Sequence, residues 1–222
     1  MSEPRRLLAA RGVSRRYGER VALRATDVDL CAGEAIALLG PNGAGKSTLL
    51  SILAGALPAS DGTVDRADGV RVGWMPQRPA HYGRLSAREN LELFARLERE
   101  ADARAAAARL LERLELPQDD RPSAALSVGN RQRLNLALSL LGSPDVLLLD
   151  EPTAALDPRQ RRRLWETAAE LRGAGGTVVF ATQNLEDVAR LADRVVLIVE
   201  GAVVFDGPVE EYERSQAESA LA

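Results

Sequence analysis

The stretch GPNGAGKST, Gly40 to Thr48, sets glycines at 40, 43 and 45 directly before Lys46, Ser47 and Thr48. Glycines let successive backbone N–H groups turn inward into an anion nest, and a helix opening at Lys46 would aim its positive end at the same anion. In the spacing G-x-x-x-x-G-K-[ST] the lysine reaches the β- and γ-phosphates of a nucleotide and the hydroxyl holds Mg²⁺. The expected cradle is Gly40, Asn42, Gly43, Ala44 and Gly45, with Lys46, Ser47 and Thr48 at the helix start. Composition adds an independent sign: of 29 basic residues, Lys46 is the sole lysine and the rest are arginine. A chain that otherwise uses arginine keeps a point ammonium where a planar fork would not serve.

Two further stretches carry chemistry. In VLLLDEPTAALD (146–157) an apolar run delivers two carboxylates. Asp150 is placed to hold the metal, and Glu151 to orient and polarise an attacking water. The run GTVVFATQNLED (176–187) ends on Gln183, an amide delivered to the carboxyl edge of a buried strand. Gln183 either touches the reacting phosphate or, more plainly, caps the helix that follows or points into solvent.

These residues need a scaffold. The first 40 residues read as short strands with turns at RRYGER and CAGE, ending in the buried strand AIALLG. Helical spacing runs from Lys46 to about Ala54, PASDG is a turn, and a strand pair is expected through GTVDRADGVRVGWMPQ. From about Leu85 to Leu141 the pattern is mostly helical. Strands resume at DVLLLD, TVVFA and RVVLIV, with helices near 159–172 and 185–192, and a hairpin about VEGAVVFDG leads to a short terminal helix. Alternating strand and helix implies a parallel sheet with its ligand site at the carboxyl ends of the strands.

The ordered motifs identify a family. Over essentially its full length the sequence resembles the nucleotide-binding subunits of ABC transporters. RRYGER supplies Tyr17 where that family has its adenine-stacking aromatic, and GPNGAGKST is the Walker A loop. WMPQRP puts Gln77 at the Q-loop, which the family uses to touch the metal and to relay to the helical subdomain. LSVGN stands at the LSGGQ signature, LLLDEP at Walker B, and AALD with Asp157 at the D-loop. The resemblance implies an α/β fold: a P-loop NTPase core with a mainly parallel sheet, an N-terminal antiparallel β subdomain and an inserted α-helical subdomain at about 84–143, all in one domain over 1–222. It also implies head-to-tail pairing with a second ABC ATPase domain, so that Ser127 and Gly129 of one copy meet the γ-phosphate of ATP held by the other. A separate integral membrane permease subunit is implied too, which would place the chain on the cytoplasmic face of a membrane.

Two departures stand out. Val128 and Asn130 replace a glycine and a glutamine of the signature, and the β-branched Val128 narrows the backbone choices there. Gln183 occupies the usual position of a histidine. An amide can donate one neutral hydrogen bond to a phosphate oxygen but can neither become cationic nor shuttle a proton. The segment GRLSARENLELFARL resembles ABC-2 type exporter subunits, and no long regulatory extension is expected after the hairpin.

Composition narrows the alternatives. A net charge of −3 gives no global basic field, so no nucleic-acid partner is expected, and RQRRRL (159–164) reads as a solvated helix face. The longest apolar runs fall far short of a membrane helix, and no apolar run follows the N-terminal arginines as in a secretory leader. Cys31 alone can form no intrachain disulfide. His81, Trp74 and Trp165 are expected to be incidental or packing residues.

Overall fold

The computed structural model describes residues 5–154 and 156–221, so Ala155 of the AALD stretch lies outside it. The chain opens with β1 (Arg6–Tyr17) and β2 (Arg20–Cys31), followed by β3 (Ala35–Leu39), α1 (Lys46–Leu53), β4 (Asp61–Arg66) and β5 (Val72–Met75). Three long helices come next: α2 (Ala87–Leu97), α3 (Ala103–Arg113) and α4 (Val128–Ser139). The remainder alternates: β6 (Val146–Asp150), α5 (Pro158–Gly173), β7 (Thr177–Ala181), α6 (Leu185–Leu191), β8 (Arg194–Val199), β9 (Ala202–Pro208) and α7 (Val209–Leu221).

Six strands form one sheet in the order β5-β6-β7-β3-β8-β9, parallel except where β9 returns antiparallel along β8. Every residue of β3, β6 and β7 is buried, because helices or a second sheet cover both faces. The period of two sorts their side chains. Ala37, Leu149 and Phe180 face one core, against the inserted helices and α5, whereas Leu38, Leu148 and Val179 face another, against α1 and the N-terminal sheet.

Two expectations are corrected. The N-terminal strands are not short: β1 and β2 each run 12 residues, and repeated register shifts between them break the alternation by which a long strand is recognised. The pair expected through GTVDRADGVRVGWMPQ does not exist as a pair. β4 joins β1 in a three-stranded antiparallel sheet of order β2-β1-β4, and β5 crosses to the edge of the parallel sheet beside β6.

The helical stretch is interrupted for local reasons. Arg99 turns through positive φ after α2, and Asp102 caps α3 by accepting from the Ala105 N–H at 2.9 Å. At the start of α2, Ser86 and Glu89 form a reciprocal capping box. No helix among the described residues is long and apolar enough to cross a membrane.

Candidate functional site

The carboxyl ends of β3, β6 and β7 converge on one side of the sheet. Past β3 the chain must turn tightly enough to bring Lys46 back over its own loop. Gly40 and Gly45 take φ of 142° and 114°. A Cβ on Gly40 would stand 2.0 Å from the Ile198 carbonyl oxygen, and one on Gly45 would stand 2.7 Å from that of Ala22. Only glycine fits either position.

Lys46 is buried, and its Nζ donates to the carbonyls of Gly40 at 2.6 Å and Pro41 at 3.1 Å, closing the loop on itself. Burial depresses its pKa, while Glu151 and Asp150 draw it back up. Ser47 Oγ donates to Asp150 Oδ1 at 3.0 Å, so the hydroxyl and the carboxylate read as metal-holding groups meet across 103 residues of sequence. Asp150 is itself buried, which raises its pKa; the Ser47 hydrogen bond, Lys46 and the Gln77 backbone N–H oppose that rise.

Glu151 follows at φ 49°, a left-handed backbone that is costly for a non-glycine residue, and its N–H donates to the Ala181 carbonyl at 3.0 Å. Burial raises the Glu151 pKa from its ordinary value. Lys46 and a hydrogen bond from Gln183 work against the shift, and Asp150 and Asp187 reinforce it. A carboxylate tuned in that direction is a better base near neutral pH.

Gln183 is exposed and does not cap α6. That task falls to Asn184, whose Oδ1 accepts from the Glu186 N–H at 2.9 Å. Gln183 Nε2 instead donates to Asn42 Oδ1 at 2.5 Å, joining the loop after β7 to the tip of the glycine loop.

A groove of about 230 Å³ runs along this edge, lined by Tyr17, Arg20, Ala22, Asn42, Gly43, Ala44, Gly45, Lys46, Ser47, Thr48, Gln77 and Glu151. Tyr17 is half exposed at the end of β1, with the Arg15 guanidinium 4.7 Å from its ring centroid. Ser127, Gly129 and Asp157 do not line the groove. Ser127 caps α4 by accepting from the Asn130 N–H, and Asp157 caps α5 by accepting from the Gln160 N–H with Pro158 at the first helical position. Val128 opens α4 in helical backbone, 52% exposed, so its β-branch meets no conflict there.

Several participants carry no mark in the sequence. Arg20 and Ala22 line the groove, and Gln132 of α4 donates to the Pro152 carbonyl at 3.1 Å just past Glu151. His81 Nδ1 lies 2.9 Å from Ser123 Oγ, tying the segment after Gln77 to the turn before α4. Trp165 packs as expected but also donates from Nε1 to Asp187. Polar residues in a loop or a helix carry no signal for such pairings.

A family model described as ABC transporter matches residues 23–154, more than half of the chain. The chain belongs to the ABC transporter family. It is 41% identical over 213 residues to the daunorubicin resistance ATP-binding protein DrrA3 of Streptomyces coeruleorubidus, covering 90% of this chain and 67% of that one. It is 38% identical over 211 residues to the Nod factor export ATP-binding protein I of Burkholderia orbicola, covering 89% and 69%. The chain thus spans about two thirds of the length of these relatives. Among solved structures, the dimeric ATP-binding cassette MJ0796 in a post-hydrolysis state with ADP and Pi superposes with a TM-score of 0.82 at 25% identity, over 91% of this chain and 99% of that one. The α/β architecture described above is thus that of an ABC ATPase cassette. Tyr17, Asp157 and Gln183 lie outside the span matched by the ABC family model.

Proposed function

We propose that the chain is an ATP-binding and ATP-hydrolysing subunit that closes on ATP with a second ABC ATPase domain and energises transport, in the export direction, through a separate membrane permease subunit. The observation that carries the reading is the convergence, at one sheet edge, of the Lys46 loop, the Ser47–Asp150 pair, Glu151 and Gln183. The names of the relatives, drug resistance and Nod factor export, support the direction. On this reading 1–222 is one ABC ATPase domain, with its helical insertion at about 84–143.

The site fits Mg²⁺ bound together with a nucleotide. Among the described residues no group of three or more His, Cys, Asp or Glu side chains could hold an ion unaided. A hydroxyl and one carboxylate 3.0 Å apart suit an ion that takes its other oxygens from phosphate and water. Ser47, Asp150 and Gln77 would hold it, and it would neutralise charge on the β- and γ-phosphate oxygens.

The protein's own groups then divide the work. Backbone N–H groups of 42–48 and the start of α1 bind the phosphates, Lys46 releases its two carbonyls to reach them, and Tyr17 stacks on the base. Glu151 orients the attacking water and accepts its proton. Gln183 leaves Asn42 and donates to the γ-phosphate, while Asp157, Ser127 and Gly129 act across the pair at the partner's nucleotide.

A second reading, a nucleotide-gated clamp with little turnover, is favoured by the amide at 183. Phosphate release from Mg-ATP, compared with Glu151→Gln, decides between them. A rate clearly above that variant is expected. A rate equal to it, with ATP still bound, overturns the motor in favour of the clamp.

A further inference from the structure

Asp187 lines neither the phosphate groove nor the wider cleft beside Gln183, yet it is 1% exposed and carries a carboxylate into the core. Burying such a group is costly unless hydrogen bonds replace its water. Three donors do so. Trp165 Nε1 of α5 reaches Oδ1 at 2.7 Å, Thr153 Oγ1 reaches Oδ2 at 2.8 Å, and Thr182 Oγ1 makes a longer contact to Oδ2 at 3.5 Å.

The positions of those donors give the arrangement its meaning. Thr153 stands two residues after Glu151, and Thr182 one residue before Gln183. Thr182 Oγ1 also accepts from the Asn184 N–H at 3.0 Å, which shapes the turn on which Gln183 sits. Trp165 meets Phe180 of β7 edge-on with ring centroids 4.8 Å apart, so the indole is fixed on its other side by the strand that delivers Gln183.

We infer that Asp187 is a positioning residue, holding the loop behind Glu151 and the loop ahead of Gln183 in one frame tied to Trp165. It touches no nucleotide. It sets the separation and aim of the two side chains that would face the γ-phosphate, leaving the Lys46 loop to bind ATP independently. Only a carboxylate satisfies all three donors. The amide introduced by Asp187→Asn would offer one acceptor oxygen and turn an NH₂ group toward a hydroxyl or the indole N–H.

The inference rests on the ATPase reading for its catalytic consequence and not for its structural one, so the test has two arms. In the first, steady-state hydrolysis is measured for the wild type, Asp187→Asn, Thr153→Val and Thr153→Ser. Asp187→Asn is expected to lower kcat about tenfold or more with KM for ATP within about twofold. Thr153→Val should lower kcat several-fold, and Thr153→Ser, which keeps the hydroxyl, should restore it. In the second, amide exchange is followed without nucleotide. Asp187→Asn and Thr153→Val should speed exchange about tenfold in the segments after Glu151 and around Gln183, with α1 and β3 unchanged.

Unchanged kcat, an equal loss in Thr153→Ser, or faster exchange spread over the whole sheet would each overturn the inference, the last by showing general destabilisation. A wild type that hydrolyses no ATP sinks the ATPase reading instead. The exchange arm then decides the tether alone, and unchanged exchange in the two loops overturns it.

Discussion

At the scale of single residues the informative one is Gln183. It holds Asn42 Oδ1 at 2.5 Å and opposes the upward pKa shift of Glu151, so it stands between the phosphate loop and the carboxylate. A neutral amide gives a developing phosphate charge less than a cation would, by about 1–3 kcal/mol, or one to two decades in rate. Gln183→His is therefore expected to raise the hydrolysis rate by roughly ten- to a hundredfold. The pH dependence follows from the sign of the charge. Imidazolium exists below its pKa, near ~6.5 in an unperturbed side chain, so the gain should be larger at pH 6 than at pH 8. Rates of the two proteins measured across that range test it. A ratio that stays at one throughout would mean the amide serves as well as imidazole, and that position 183 senses no phosphate charge.

At the scale of elements, the segment 78–86 between Gln77 and α2 is stapled rather than loose. Asn90, fully buried in α2, accepts from the Tyr82 N–H at 2.7 Å and donates to the carbonyls of Tyr82, Leu85 and Ser86; Ser123 Oγ donates to the Tyr82 carbonyl at 3.0 Å. Arg84 and Tyr82 are left facing solvent. A loop held so firmly to the helical insertion, and continuous with Gln77 in the groove, suits transmission of force between nucleotide and the proposed permease. Arg84→Cys is expected to crosslink to the copurified permease with a yield that changes on adding ATP, read on a denaturing gel. A yield indifferent to ATP, or no crosslink from this segment, would place the contact elsewhere. Much of this architecture was legible beforehand, because unbroken apolar runs such as VLLLD and TVVFA fit buried parallel strands and glycine spacing marks a phosphate nest. What stayed hidden depends on neighbours distant in sequence. Strand patterning in β4 and β5 does not say which sheet each joins. Bulges disguised the length of β1 and β2, and Asp187 reads as one more acid in the first turn of a helix until Trp165 and Thr153 are seen to converge on it.

At the scale of the whole molecule, the proposed pairing assigns one chain two half-sites that do not meet within it. The Lys46 groove is one half. The other, the start of α4 with Ser127 exposed and Val128 52% exposed, lines neither that groove nor the cleft beside Gln183. Both offer backbone N–H groups at a helix start, and on the proposed reading a second chain would bring them to the same anion. Slowing hydrolysis should trap the joined state. Glu151→Gln is expected to be monomeric without nucleotide and to double its mass in Mg-ATP, as read by light scattering after gel filtration. Ser127→Arg added to it should restore the monomer while ATP binding persists, because the bulky guanidinium would stand in the proposed interface and lies outside the groove of its own chain. A Glu151→Gln chain that binds ATP and stays monomeric rules out pairing with itself. The missing half-site would then belong to a different ABC ATPase chain, and each composite site would carry only one of the two departures, LSVGN or Gln183.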